Sequence, residues 1–227
     1  QSVVFVGNSI TNMQPWAEIF TADNVINRGN SGGFSWEVLA NIQSYITGRP
    51  KKLFIMIGTN DMNVAGYTPE AVVKNVRQTI KHIQKESPAT QVYVESVMPS
   101  TNNSRTVAKG EALNAQLQTM ATEMGVTFVD FFDDLMGITS GTTMSYDALH
   151  PHVGGVSVWA KKLMTYVGGA PLLAITPNVV NGGQSNSYGA RYSVHANLPI
   201  NSNDVLFIGD EFVHSGEWQE LLGNPNV

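Results

Sequence analysis

Val3-Val4-Phe5-Val6-Gly7-Asn8-Ser9 comes almost at the start of the chain and decides its fold. Four β-branched or aromatic residues in succession, with no polar alternation, describe a strand buried on both faces, and Gly7 stops it. Lys52-Leu53-Phe54-Ile55-Met56-Ile57 repeats the phrase and is stopped by Gly58. Asn24–Asn27 reads as a shorter strand ending at Arg28-Gly29. Gln91–Val97 and Val126–Phe131 read as the remaining two.

Helical patterns fill the gaps. Over 35–47, Trp36, Leu39, Ile42 and Ile46 are spaced as one inward face, with Ser35 as N-cap and Gly48 at the end. Thr68-Pro69-Glu70 opens the next helix, capped by Thr68, with Val72, Val76, Ile80 and Ile83 facing inward and Ser87-Pro88 ending it. The stretches 104–124 and 154–167 predict two more, closed by Gly125 and by Gly168-Gly169. A short helical stretch is expected around 16–20. Buried strands alternating with helices make an α/β protein with a parallel sheet covered on both faces. Ligands in such sheets sit at the carboxyl ends of the strands, near the topological switch point. Polar clusters lie there in sequence: Gly7-Asn8-Ser9, Gly29-Asn30-Ser31-Gly32-Gly33 and Gly58-Thr59-Asn60-Asp61.

Composition narrows the function. The 227 residues contain no cysteine, which excludes disulfides, a Cys-ligated zinc and a Cys nucleophile. A net charge of -5 argues against a protein that tracks nucleic-acid phosphates. No apolar run reaches the length of a membrane span. Only 14% of residues are charged, against a usual ~25%, and Asn, Gly, Ser and Thr fill the surface. That balance, with Gln1 and Ser2 leading directly into the first strand, fits a secreted or periplasmic protein whose leader has been removed.

Ser9 is the first residue that could do chemistry. Just past a buried strand it is presented at the sheet edge, although a serine there can also simply cap a helix. His150 is the second. In Asp147-Ala148-Leu149-His150-Pro151 a carboxylate three residues before a histidine can fold back onto Nδ1 and leave Nε2 as a base, or Asp147 can instead cap the loop's amides. His152 is a rival base without a carboxylate at that spacing, and His82, His195 and His214 lie elsewhere. Acyl transfer also needs donors aimed at a developing oxyanion. The Asn60 side chain, the Gly32 backbone N–H and the N–H of Ser9 are candidates, though each residue type is also common in turns.

Taken together, Gly7-Asn8-Ser9-Ile10-Thr11, Asn27-Arg28-Gly29-Asn30-Ser31-Gly32, Gly58-Thr59-Asn60-Asp61 and Asp147-Ala148-Leu149-His150-Pro151 resemble the four signature blocks of the SGNH (GDSL-type) hydrolases, in order and spacing. The resemblance spans about residues 2–169 and is nearest to the acetylhydrolase-like branch similar to platelet-activating-factor acetylhydrolase subunits and carbohydrate acetylesterases. It implies a flavodoxin-like three-layer α/β/α sandwich. It also implies Ser9 as nucleophile, His150 as general base and then acid, Asp147 as its orienting partner, and an oxyanion hole from Ser9, Gly32 and Asn60, with no metal or cofactor. The family's first block usually reads Gly-Asp-Ser. Asn8 here keeps the size and an acceptor oxygen but loses the charge, and activity is expected to survive because Asp147 supplies the carboxylate.

The absence of a lid-like apolar insertion and the Asn/Gly/Ser-rich loops, with Trp16, Trp36 and Tyr67 near in sequence, favour short acyl esters on carbohydrate. Trp36 itself is expected in the core. A thioesterase or lysophospholipase of the same fold, and a non-catalytic carbohydrate-binding module, are the competing readings.

Three segments are expected: a hydrolase domain over 1–169, a Pro/Gly/Asn-rich linker or arm over 170–203, and a partial repeat over 204–227. Offset by 202 positions, Val3, Phe5, Gly7, Trp16, Glu18, Asn24 and Val25 meet Val205, Phe207, Gly209, Trp218, Glu220, Asn226 and Val227. Glu211 takes the place of Ser9. The segment reads as the first strand–loop–helix of a second such domain, or as an arm that packs on a sheet edge or exchanges between copies in a homo-oligomer, or as a C-terminal strand that pairs locally and resembles the first by accident.

Overall fold

The computed structural model describes residues 2–20, 24–136, 145, 147–169, 194–195, 198, 200–209, 213, 216 and 218–223. The expected arm over 170–203 lies almost wholly outside them, as do Glu211 and His214.

Five parallel strands form one sheet: β1 (Val3–Gly7), β2 (Val25–Gly29), β3 (Lys52–Met56), β4 (Gln91–Glu95) and β5 (Thr127–Val129), in the order β2-β1-β3-β4-β5. Between them run α1 (Ser9–Asn12), α2 (Trp16–Ile19), α3 (Ser35–Ile46), α4 (Pro69–Glu86) and α5 (Val107–Met124), with α6 (Val153–Val167) after the last strand. The side-chain alternation of a strand splits the core into two layers. Val3 and Phe5 face a layer that includes Trp16 and, from α6, Val156, Trp159 and Leu163. Val4 and Val6 face the other, built with Val38 and Ile42 of α3, Val76 and Ile80 of α4, and Leu113 and Leu117 of α5. This is the three-layer α/β/α sandwich that the sequence led us to expect. In the first layer Trp16, Phe5, Phe54 and Tyr93 stack face to face in a row across the sheet, at centroid spacings of 4.4, 4.9 and 4.5 Å, and Trp159 meets the edge of Trp16.

The chain runs outward from β1 to β2 and then returns to β3 on the other side of β1. The switch point therefore falls between β1 and β3, where the chains leaving the two carboxyl ends diverge and open a crevice. Ser9 follows β1 and Asn60 follows β3.

Three expectations are corrected. Ser35 is the first residue of α3 and not its N-cap; Phe34 holds the cap position, and its N–H is satisfied by Glu37 Oε2 at 2.8 Å. The inward face of α3 is Ser35, Val38, Ile42 and Ile46, which leaves Leu39 half-buried and Trp36 46% exposed, outside the core. Val38 and Leu39 are both apolar, so tertiary packing and not periodicity sets the rotation. Finally, α5 starts at Val107, because the Thr106 hydroxyl accepts from Lys109 N and caps it there.

After α6, the described C-terminal residues include a short helix, α7 (Trp218–Leu222). Val205–Ile208 is assigned to no strand, and its side chains are exposed. Arg28 at the end of β2 makes a two-pronged ion pair with Glu220, at 2.8 and 2.7 Å.

Candidate active site

Ser9 stands at the first position of α1, directly beyond β1. Asn8 is the N-cap: its Oδ1 accepts from Ile10 N at 3.0 Å. The turn from strand to helix is tight. A Cβ at Gly7 would lie 2.2 Å from Thr11 Oγ1 and 2.6 Å from Met56 O, so glycine is the residue that lets α1 fold back onto β1 and β3. Asn8 Nδ2 is buried with no hydrogen-bond partner among the described residues.

Ser9 Oγ lies 2.8 Å from His150 Nε2, and His150 Nδ1 lies 2.7 Å from Asp147 Oδ2. Asp147 Oδ1 accepts from His150 N at 2.7 Å and Leu149 N at 3.0 Å, so this carboxylate both orients the imidazole and caps its own loop. The two functions weighed for Asp147 from the sequence coexist because each uses a different oxygen. Ala148, between them, adopts φ 62, a left-handed conformation that costs a non-glycine residue about 1–2 kcal/mol. Neighbours hold the turn there: Ser100 Oγ donates to Ala148 O at 2.8 Å, Asn102 Nδ2 to Asp147 O at 3.0 Å, and Ser145 Oγ to His150 O at 2.8 Å. Burial pushes the Asp147 carboxyl up, but the hydrogen bonds from the His150 side chain and backbone, the imidazole's charge and Leu149 outweigh it and hold the group below its usual range.

Asn60 approaches from the β3 side. Its Nδ2 donates to Gly33 O at 3.0 Å, which ties it to the Gly-rich turn, and its Oδ1 accepts from Arg105 Nη2 at 2.9 Å. Those two bonds fix which way the amide points. Nδ2 carries a second hydrogen beyond the one given to Gly33. Gly32, at φ 78, is exposed and no heavy atom lies within 4 Å of where a Cβ would sit, leaving its backbone open to a ligand. The turn is anchored to the floor of the site, with Asn30 N donating to Gly7 O at 2.9 Å and Ser31 Oγ to Asn12 Oδ1 at 3.1 Å. Beneath it, Asp61 accepts from Ser35 Oγ at 2.5 Å and from Ser35 N, and Asn75 Nδ2 donates to the same hydroxyl at 2.8 Å. Burial pushes the Asp61 carboxyl up, against those bonds, which favour its charge.

Arg105 is the site residue that sequence reading missed. It is buried, with Nε on Thr59 O at 3.0 Å in addition to its bond to Asn60. Its loop also supplies Ser100 and Asn102, which hold the Asp147 turn. One segment, 100–105, thus braces both the Asn60 and the Asp147 sides of the crevice. Burial pulls the guanidinium down from its ordinary value while the Asp147 charge supports it.

Three other histidines are described. His152 is the N-cap residue of α6, and burial holds its imidazole below the ordinary range. His82 bonds Gln43 at 2.8 Å, and His195 faces Glu18 at 3.7 Å. Among the described residues no group of three or more His, Asp or Glu could hold a metal, and no helix is long and apolar enough to cross a membrane.

The arrangement has a hydroxyl, an imidazole and a carboxylate in series, with backbone and amide donors nearby. It is a set of groups suited to nucleophilic attack on a carbonyl. A sequence model of the GDSL-like lipase/acylhydrolase family matches residues 5–157. Solved structures share the fold. One from Streptococcus pneumonia, whose description names platelet activating factor, is 26% identical, covers 74% of this chain and 84% of its own, and has a TM-score of 0.65. A GDSL-like lipase from Bacteroides thetaiotaomicron is 21% identical over 73% of this chain and 87% of its own, at 0.64. A catalytic mutant of an acetylxylan esterase from Geobacillus stearothermophilus is 16% identical over 74% and 94%, at 0.62. No curated protein matches the chain.

Proposed function

Because this chain belongs to the GDSL-like lipase/acylhydrolase family of ester-hydrolysing enzymes, we propose that it is a serine esterase acting on short acyl esters, acetyl above all, carried by carbohydrate. The observation that carries the reading is the Ser9–His150–Asp147 chain, at 2.8 and 2.7 Å.

Ser9 Oγ attacks the ester carbonyl while its proton passes to His150 Nε2. Asp147 holds the imidazole by Nδ1 and stabilises the imidazolium that forms. The tetrahedral oxyanion takes hydrogen bonds from the backbone N–H groups of Ser9 and Gly32 and from the second N–H of Asn60. Ser9 N is open for this because the first amides of a helix have no intrahelical acceptor. Collapse of the intermediate breaks the ester C–O bond, and His150 returns its proton to the departing alcohol oxygen. Water, deprotonated by the same imidazole, then attacks the acyl-Ser9 carbonyl, and the acid leaves as Ser9 recovers its proton. No step calls on a metal or organic cofactor.

Polar loops rim the site: Asn30, Ser31 and Gly32 are all exposed. They suit a hydroxyl-rich alcohol better than a long acyl chain, and acetylxylan esterases of the same fold work on such alcohols by name. A fluorophosphonate probe is expected to label the wild type and not Ser9→Ala. Equal labelling of the two removes the esterase reading. Acetate release from acetylated xylan should exceed hydrolysis of a long-chain acyl ester; the reverse order assigns the enzyme to lipid.

A further inference from the structure

We propose that Phe34 and Trp36 form a stacking platform beside the Ser9 site that receives the pyranose ring of an acetylated glycan, which rests on the esterase reading above. The two rings lie 4.3 Å apart and 8° from parallel, and Trp36 is 46% exposed. A large aromatic on a helix is ordinarily turned inward, but here the inward positions belong to Ser35, Val38 and Ile42. The pair is also held rigidly. Gly33 O is bonded by Asn60, Phe34 N by Glu37, and Ser35 by Asp61, so the residues before, within and between the pair are fixed before any ligand arrives. Phe34 follows Gly33 directly, and Gly32 is the proposed oxyanion donor. An ester whose carbonyl oxygen takes the Gly32 N–H therefore sits within a few residues of this face.

The chemistry of the occupant follows from the surroundings. An exposed π-face carries partial negative charge and attracts the polarised C–H edge of a sugar ring. The exposed neighbours Asn30 and Ser31 offer hydrogen bonds to ring hydroxyls.

The test compares Trp36→Ala with wild type on two acetates, ethyl acetate and an acetylated xylooligosaccharide. The ratio of kcat/KM for oligosaccharide over ethyl acetate is expected to fall about three- to tenfold, through the oligosaccharide KM, and Trp36→Phe should recover most of it. A ratio that does not move, or a loss equal for both esters, overturns the platform. Failure of the esterase reading shows separately, as ethyl acetate turnover that survives in Ser9→Ala.

A different observation carries a second inference. We infer that residues 204–223 are the opening unit of another copy of this same fold. The contacts of the first unit recur at the 202-residue offset. Phe207 and Trp218 stack at 4.6 Å and 5°, as Phe5 and Trp16 do at 4.4 Å and 11°. Trp218 Nε1 donates to Val213 O, as Trp16 Nε1 does to Thr11 O, and Gly216 N donates to Val213 O, as Gln14 N does to Thr11 O. A Cβ at Gly209 would meet Val213 at 2.4 Å, as one at Gly7 meets Thr11 at 2.2 Å. Burial is what differs. Val3–Val6 are at most 5% exposed between β2 and β3, whereas Ile208 is 86% and Leu206 61% exposed. The missing occupants are therefore a pair of parallel strands equivalent to β2 and β3 along its edges and helices equivalent to α3, α4 and α5 over the face of Leu206 and Ile208. With Glu211 at the serine position, the copy lacks the nucleophile.

Residues 26–169 appended after Val227, which aligns with Val25, supply such strands. The amides of 205–208 should then become protected from hydrogen exchange, while fluorophosphonate labelling stays at one per chain. Exchange unchanged by the extension, or protection already present without it, overturns the inference.

Discussion

Arg105 Nη2 and the Gly33 carbonyl hold the two ends of the Asn60 amide, so the orientation of one proposed oxyanion donor depends on a residue 45 positions away. Removing the guanidinium frees the amide to rotate. Arg105→Met should lower kcat about tenfold or more with a smaller change in KM, and Arg105→Lys should not restore it, because one ammonium cannot reach both Asn60 Oδ1 and Thr59 O in the same fork. Steady-state kinetics on ethyl acetate reads this directly. Asn8 acts through the backbone. Asn8→Ala removes the cap that starts α1 beneath Ser9, at a cost of about 1 kcal/mol, and should lower Tm by about 2–4 °C in a calorimetric scan. At this scale the sequence was legible where residues act locally. Asp147 and His150 are three apart, and their spacing foretells their contact. Arg105 carries no such signal, because its partners come from a separate loop.

At the scale of elements, the helix α3 marks where local pattern stops deciding. Its existence was plain from spacing, Ser35 and Gly48. Its rotation was not, because Val38 and Leu39 offer rival apolar faces. The Asp61–Ser35–Asn75 network chooses between them by tying the first residue of α3 to the loop after β3 and to α4. Ser35→Ala would leave Asp61 buried with only a backbone donor from that residue, a loss expected to cost about 1–3 kcal/mol in urea unfolding. The strands were easier, since a continuous apolar run ended by glycine fits little else than the centre of a parallel sheet. The Phe–Trp stack and its indole hydrogen bond form around Trp218 without a sheet at Val205–Ile208, so those contacts are specified within about 20 residues.

For the molecule as a whole, two carboxyls pull stability in opposite directions with pH. Glu95, at the end of β4, is fully buried with Trp159 Nε1 donating to Oε2 at 2.6 Å, and burial raises it from 4.5 to about 8. The folded state therefore binds its proton more tightly than the unfolded chain. Stability from this group is full below 4.5 and is lost as pH rises toward 8. Asp147 is lowered, so its contribution is present above the ordinary carboxylate range and is lost as pH falls. Glu95→Gln keeps an acceptor for Trp159 and should flatten the decline in Tm between pH 5 and 8 while leaving the acid limb in place. Nothing in the sequence pattern of 91–97 singled out that glutamate; its burial follows from α6 closing over the end of β4.

The stacked row across the sheet gives the protein an optical division of labour. Of four tryptophans, Trp16 in that row and Trp159 against its edge are almost wholly shielded, while Trp218 is half-buried and Trp36 is exposed. Acrylamide should therefore resolve the intrinsic fluorescence into a protected population that reports on the integrity of the core and a quenchable one. A glycan resting on the indole of Trp36 would shield part of the second without touching the first, so that occupancy and unfolding can be followed in one cuvette as separate signals.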